Sequence, residues 1–209
     1  RPVGFPEELQ FLFILTISRL GNMILNRFTS LDNLFAILKD KRLRLSDPAY
    51  WEDKNDIRYM EGYRKLKNLK KVLALCFTNE RETIYHWSVF DVKTNTCCIE
   101  FDGDLLLDKI KNKAGFTHGK VNYLTISELQ NKLKSIDDIP FCKRHSYRNE
   151  AEYRIIYDSK LSTKDKSIPI ELNLIRRITI NQNLSGDVFN LIKSEITSRY
   201  NLQVNRSTI

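Results

Sequence analysis

The chain has 209 residues, 42% of them hydrophobic, and carries 34 lysines and arginines against 26 aspartates and glutamates, a formal charge of +8. That length and apolar content bury one substantial core, and no Pro, Gly or Ser-rich stretch divides it, so one domain is expected. The charge favours anionic partners, whether nucleic acid, a nucleotide pyrophosphate or an acidic membrane surface, without choosing among them.

In chain order, residues 9–17 are apolar apart from Gln10 and Thr16. They are too short to span a membrane and read as a short helix packed on the body, so no membrane partner is expected. Met23 stands directly before a strand-like run. Residues 1–22 are therefore an N-terminal extension or added segment, and 23–209 a single α+β domain. The periodicity predicts a strand over 23–28 and a helix over 31–39, capped at Thr29-Ser30, with Leu31, Leu34, Phe35 and Leu38 on one face. A short strand over 43–45 follows, then a polar loop or short helix over 50–56 and a basic, solvent-facing stretch over 65–71. Residues 72–77 are continuously apolar and predict a buried strand. A polar turn over 79–82 leads to the aromatic cluster Tyr85, His86, Trp87 and Phe90. Further strands are expected over 97–101, 120–124, after Glu150, over 168–174 and over 177–180. Helices are expected over 105–110, 127–133 and, as an amphipathic close, 187–200. Strands scattered among few helices favour an α+β domain with a mixed or antiparallel sheet.

Cys76, Cys97, Cys98 and Cys142 match neither a zinc ribbon nor a Cys-x-x-Cys pair, and each lies in apolar company. They read as buried free thiols of a reduced, cytoplasmic setting. His86, His118 and His145 are scattered singly, so a cysteine or histidine metal centre is not expected, and no metal is predicted.

The segment 147–157 sets Glu150 and Glu152 two residues apart ahead of an apolar strand. In a strand such residues share a face, and paired carboxylates raise each other's proton affinity unless cations stand near. Arg144, His145, Arg148 and Arg154 are available as those cations. A solvated edge strand is the plain alternative.

Three blocks in fixed order carry a resemblance: 27–34 with 37–38 and 43–48, running into Trp51, Glu52, Asp53, Lys54, Asn55 and Asp56; 75–78 with Trp87-Ser88 and 99–101; and Lys143, Tyr147 and 150–154. Together they resemble a large bacterial family catalogued only as a domain of unknown function, with a Trp-x-Asp loop, a Cys-Phe-Ser/Thr strand and a Glu-x-Glu-Tyr-Arg strand. Lys54 replaces the proline that commonly follows the aspartate. More distantly, the opening block is similar to the first strand and helix of DarT-type DNA ADP-ribosyltransferases and RNA 2′-phosphotransferases, and the last to the Glu-x-Glu loop of ADP-ribosyltransferases.

That resemblance implies an ADP-ribosyltransferase-like split sheet and NAD as substrate. It implies a triad of Arg27, the Thr78 or Ser88 hydroxyl, and Glu152. Glu152 would stabilise the oxocarbenium-like centre formed when the nicotinamide-ribose bond breaks. Arg27 would fork onto the pyrophosphate. Trp87 or Tyr147 would stack on nicotinamide or a base, and Glu150 would serve as general base. Trp51, Asp53 and Asp56 would border the same cleft, with Lys143, Arg148 and Arg154 near it; the alternative has Trp51 plugging the core and Asp53 capping a helix. A nucleic acid or protein in bacterial conflict, as the target of a toxin or phage-defence effector, would be the acceptor. Two other readings stand beside this one. The first is a nuclease using Asp53, Asp56, Glu150 and Glu152 with Lys143 as phosphate partner. The second is a nucleic-acid-binding module using the lysines of 65–71 and 109–113. Each residue also has an ordinary structural reading: Arg27 bridging to a surface carboxylate, Trp87 in the core, the glutamates in a structural ion network.

Overall fold

The structure is a computed structural model that describes residues 23–90, 95–162 and 166–209. The helix expected over 9–17 and the extension 1–22 lie outside the described residues. In chain order the elements are β1 (Ile24–Ser30), α1 (Leu31–Asp40), β2 (Arg42–Arg44), α2 (Lys54–Leu66), β3 (Lys71–Thr78), α3 (Ile84–Phe90), β4 (Thr96–Asp102) and α4 (Gly103–Asp108). There follow β5 (Phe116–Lys120), β6 (Asn122–Leu124), α5 (Ile126–Lys132), β7 (Cys142–Arg144), β8 (Glu152–Ser159), β9 (Ser167–Pro169), β10 (Ile175–Ile180), α6 (Gly186–Tyr200) and β11 (Val204–Arg206). Single 3-10 turns cover Pro48–Tyr50, Ile136–Phe141, His145–Glu150 and Leu172–Leu174.

One seven-stranded sheet, in the order β11-β10-β4-β1-β3-β8-β5, organises the domain. Its neighbours are antiparallel except β10 and β11, which run parallel, so the sheet is mixed and the domain α+β. Strand alternation separates two faces. Leu25, Leu75, Phe77, Ile99, Phe101, Ile155 and Ile178 point to the main core, which Leu34 and Leu38 of α1, Leu106 of α4 and Ile192 and Ile196 of α6 complete. The other face is polar over β1, β4 and β10. Over β3 and β8 it carries a smaller cluster in which Met60 and Tyr63 of α2 pack on Val72, Ala74 and Ile156.

The sheet is split. β1 pairs with β4 from Ile24 opposite Asp102 to Ser30 opposite Thr96, yet meets β3 at one position, Asn26 opposite Thr78. Beyond that point the strands part, and Ser46 takes the freed edge of β3, exchanging backbone hydrogen bonds with Ala74 at 2.8 Å in each direction.

Several local expectations are corrected. The polar stretch over 50–56 opens a helix of 13 residues, because Asp53 caps α2 by accepting from the Asn55 N–H at 2.8 Å. The aromatic cluster lies on a helix, α3. The strand expected over 120–124 is two strands, β5 and β6, and that over 168–174 is β9 followed by a 3-10 turn. The four cysteines are free thiols. Among the described residues no helix is long and apolar enough to cross a membrane.

Candidate active site

Glu150 and Glu152 do meet, though not by strand alternation. β8 begins at Glu152, whereas Glu150 ends a 3-10 turn, and Ala151 between them is left-handed at φ 43°. That conformation costs an alanine about 1 kcal/mol. Lys143 from β7 stands between the two carboxylates, its Nζ 2.6 Å from Glu150 Oε2, 3.4 Å from Glu152 Oε2 and 3.2 Å from Asp56 Oδ2.

Arg154, two positions along β8 on the same face, closes the cluster. Its Nε donates to Glu152 Oε1 and one Nη to Glu152 Oε2, both at 2.8 Å, and that Nη also reaches Asp56 Oδ2 at 2.8 Å. The other Nη donates to the Pro140 carbonyl at 2.9 Å. Trp51 covers this guanidinium with its ring centroid 5.1 Å away, and Tyr147 covers the Lys143 ammonium at 5.0 Å. Arg154 is fully buried and the four other charged members nearly so. The Tyr123 hydroxyl accepts the Glu152 N–H at 2.7 Å.

Three carboxylates and two cations leave this cluster one negative charge in excess when all are ionised. Burial pushes every acid up, and the cations divide their relief unequally. Glu152, gripped at both oxygens by Arg154, is held down at about 2 despite its burial. In Glu150 and Asp56 burial outweighs Lys143 and Arg154, and both are raised. In Lys143 the three acids outweigh burial and hold the ammonium charged.

Arg27 is elsewhere. Cross-strand partners share a face, so Asn26, Thr78 and Glu152 stand in one row, and Arg27, next to Asn26, points to the opposite side. There it enters the wedge where β1 and β3 part and donates to the Cys76 carbonyl at 2.8 Å. Burial lowers its affinity for its proton, and its Nε is buried without a protein hydrogen-bond partner. A cavity of about 230 Å³ opens beside it, lined also by Asn33, Asp40, Arg42, Arg44 and Ser46. The Cys76 thiol lies on the face of Glu152, and burial together with that carboxylate keeps the thiol protonated.

The triad drawn from the sequence is thus not gathered in one pocket. Thr78 is buried, its hydroxyl donating to the Ala151 carbonyl at 3.2 Å and accepting the Glu80 N–H. The Ser88 hydroxyl turns back onto the carbonyls of Ile84 and Tyr85 within α3 and is spent there. Trp87 is buried edge-on against Phe28, its indole N–H donating to Glu82, so it is no open stacking platform. Asp53 is a helix cap, Asp56 and Trp51 belong to the ion cluster, and Arg148 is exposed. Lys143, a phosphate partner in the nuclease reading, has its ammonium bound among three carboxylates. Among the described residues no group of three or more histidines, cysteines or acids is arranged to hold a metal ion.

Sequence reasoning missed two members of the wedge, Arg42 and Asn33, although Asn33 lies in the quoted opening block. His86, singled out in the aromatic cluster, takes a hydrogen-bonding role: its Nε2 lies 3.2 Å from the Glu150 carbonyl and its ring stacks on Phe28. Burial lowers the affinity of that imidazole for a second proton.

No protein-family model matches the chain, and no curated protein sequence matches it. Solved structures with some likeness include Thermus sp. 2.9 DarT in complex with NAD+, at 10% identity and a TM-score of 0.45 over 89% of this chain and 96% of that one. Another is the same protein in complex with ADP-ribosylated ssDNA, at 11% identity and 0.45 over 89% and 94%. Likeness at that level establishes neither common function nor common residues, and membership of the bacterial family remains a resemblance.

Proposed function

We propose that the chain is an ADP-ribosyltransferase-like enzyme that uses NAD to modify a nucleic acid or a protein. One observation supports the reading above the rest. At the split of the sheet a guanidinium with an unused, buried N–H stands on one side of Cys76, and an ionised carboxylate stands on the other.

The guanidinium suits a pyrophosphate, since a planar fork offers parallel donors that an ammonium lacks. The carboxylate suits the developing positive charge at the ribose carbon, because Arg154 keeps it ionised and fixed in direction. The neutral Cys76 thiol between them does not compete as a nucleophile. Glu150, whose proton affinity is raised, is the better general base of the pair. A pyrophosphate seated in the wedge cavity would lie against Arg27, with Asn33 and Arg42 beside it.

Calorimetric titration with NAD, followed by mass spectrometry of single-stranded DNA, RNA and protein acceptors, tests this. Binding that Arg27→Gln removes, with an added ADP-ribose mass on one acceptor, is expected. No binding, or binding indifferent to Arg27, sinks the reading.

A further inference from the structure

A cavity larger than the one beside Arg27 lies elsewhere. It occupies about 830 Å³ over the polar face of β1, β4 and β10, a volume typical of small-ligand sites. Its floor is two cross-strand rows, Asn26 with Glu100 and Arg177, and Cys98 with Thr179. Asn26, Cys98 and Thr179 are buried although polar. The wall is made by a clasp: Glu82 Oε2 accepts from the Trp87 indole at 2.8 Å and from the Ser207 hydroxyl at 3.0 Å, tying the 79–82 turn to the segment after β11.

A register shift in β10 aims the cations. Strict alternation would send Arg176 and Arg177 to opposite faces, but the irregularity between Ile175 and Arg177 against β4 lets both line the cavity. Each spends part of its fork on one carboxylate, Arg176 on Asp102 at 2.7 Å and Arg177 on Glu100 at 2.6 Å. The Arg177 Nε is buried without a partner, and Arg81 across the cavity is exposed and makes no ion pair among the described residues. A buried donor left unused in a polar cavity calls for an acceptor. The lining has no aromatic ring on which a base would stack.

We propose that this cavity binds the phosphate ester of a sugar, the arginines taking the phosphate and Asn79, Thr179 and Glu100 the hydroxyls. The ester is either a free sugar phosphate or the phosphoribosyl part of a nucleotide. The site is separate from the Arg27 wedge and stands whether or not NAD is the substrate there.

The full chain is titrated with ribose 5-phosphate, ribose, inorganic phosphate and adenosine monophosphate. Ribose 5-phosphate is expected to bind at least about tenfold more tightly than inorganic phosphate or ribose. Arg81→Gln should weaken it at least about tenfold without changing the melting temperature of the free protein, and Asn79→Ala should weaken it less. Arg27→Gln should leave it unchanged. Competition by adenosine monophosphate points to the nucleotide as source, its absence to free sugar phosphates, and either upholds the site. Absent binding, equal affinity for inorganic phosphate, or loss with Arg27→Gln but not with Arg81→Gln overturns it.

Discussion

Arg27 and Glu152 stand on opposite faces of the sheet, with Cys76 of β3 between them. Cys76 gives its carbonyl oxygen to the guanidinium at 2.8 Å, and its thiol lies on the face of Arg154 and Glu152. The two side chains can therefore be probed separately.

Arg27→Lys keeps the charge and loses the fork. NAD affinity should fall about tenfold or more, while stability falls by only about 1 kcal/mol for the single bond to Cys76. Calorimetry and urea denaturation of the same samples give both values. Unchanged affinity would place the pyrophosphate elsewhere.

Glu152→Gln keeps the shape of the side chain but breaks a doubly bonded buried ion pair and strands the Arg154 charge, which costs about 3 kcal/mol. Glu150→Gln, by contrast, removes the excess negative charge and should change stability by less than about 1 kcal/mol. Denaturation midpoints at pH 7 that fall in the other order would show that the Arg154 clasp does not hold the cluster.

The pH dependence follows with opposite signs. Glu152 is depressed from 4.5 to about 2, so its contribution is fully present above 4.5 and disappears as pH falls toward 2. Glu150 and Asp56 are raised, so they favour the folded state at low pH and withdraw that support as pH rises through their raised values. Unfolding free energies measured from pH 2 to 8 should lose their acid limb in Glu152→Gln. In Glu150→Gln the decline above 4.5 should flatten instead.

Asp53 and Asp56 stand three residues apart and should separate cleanly. Asp53→Ala loses a cap and about 1 kcal/mol, with NAD binding kept. Asp56→Asn loses its ionic partners Arg154 and Lys143 and should cost about 3 kcal/mol. Equal losses would mean that Asp56 is no more than a first-turn charge of α2.

What could be read in advance followed burial. The runs 72–77 and 97–101 are apolar enough to announce strands, and both are central. β5, with its sequence Phe-Thr-His-Gly-Lys at a sheet edge, has no alternation to announce it. α2 was hidden because its charged side chains outnumber Ile57, Met60 and Tyr63, and its cap looked like part of a site. That Glu152 and Arg154 share a face was legible from spacing, whereas Glu150 joins them through the left-handed Ala151 and Lys143, which spacing does not show. The face on which Arg27 stands was not, because it depends on which residue of β1 meets Thr78, a register fixed by strands far away in the chain.

That register also bears on how the chain acquires its shape. In the seven-stranded sheet β1 joins β4, β3 joins β8, and β4 joins β10, so no antiparallel pair in it is a hairpin between consecutive strands. Among the described residues, the only sheet neighbours consecutive in sequence are β10 and β11, bridged by α6. Nearly all closure entropy must be met before the central strands reward it, which belongs to folding on the scale of milliseconds to seconds rather than microseconds. The split adds a second consequence: β1 with β4 and β3 with β8 can each assemble apart, and the Asn26–Thr78 contact is where two partly formed halves have to find one another.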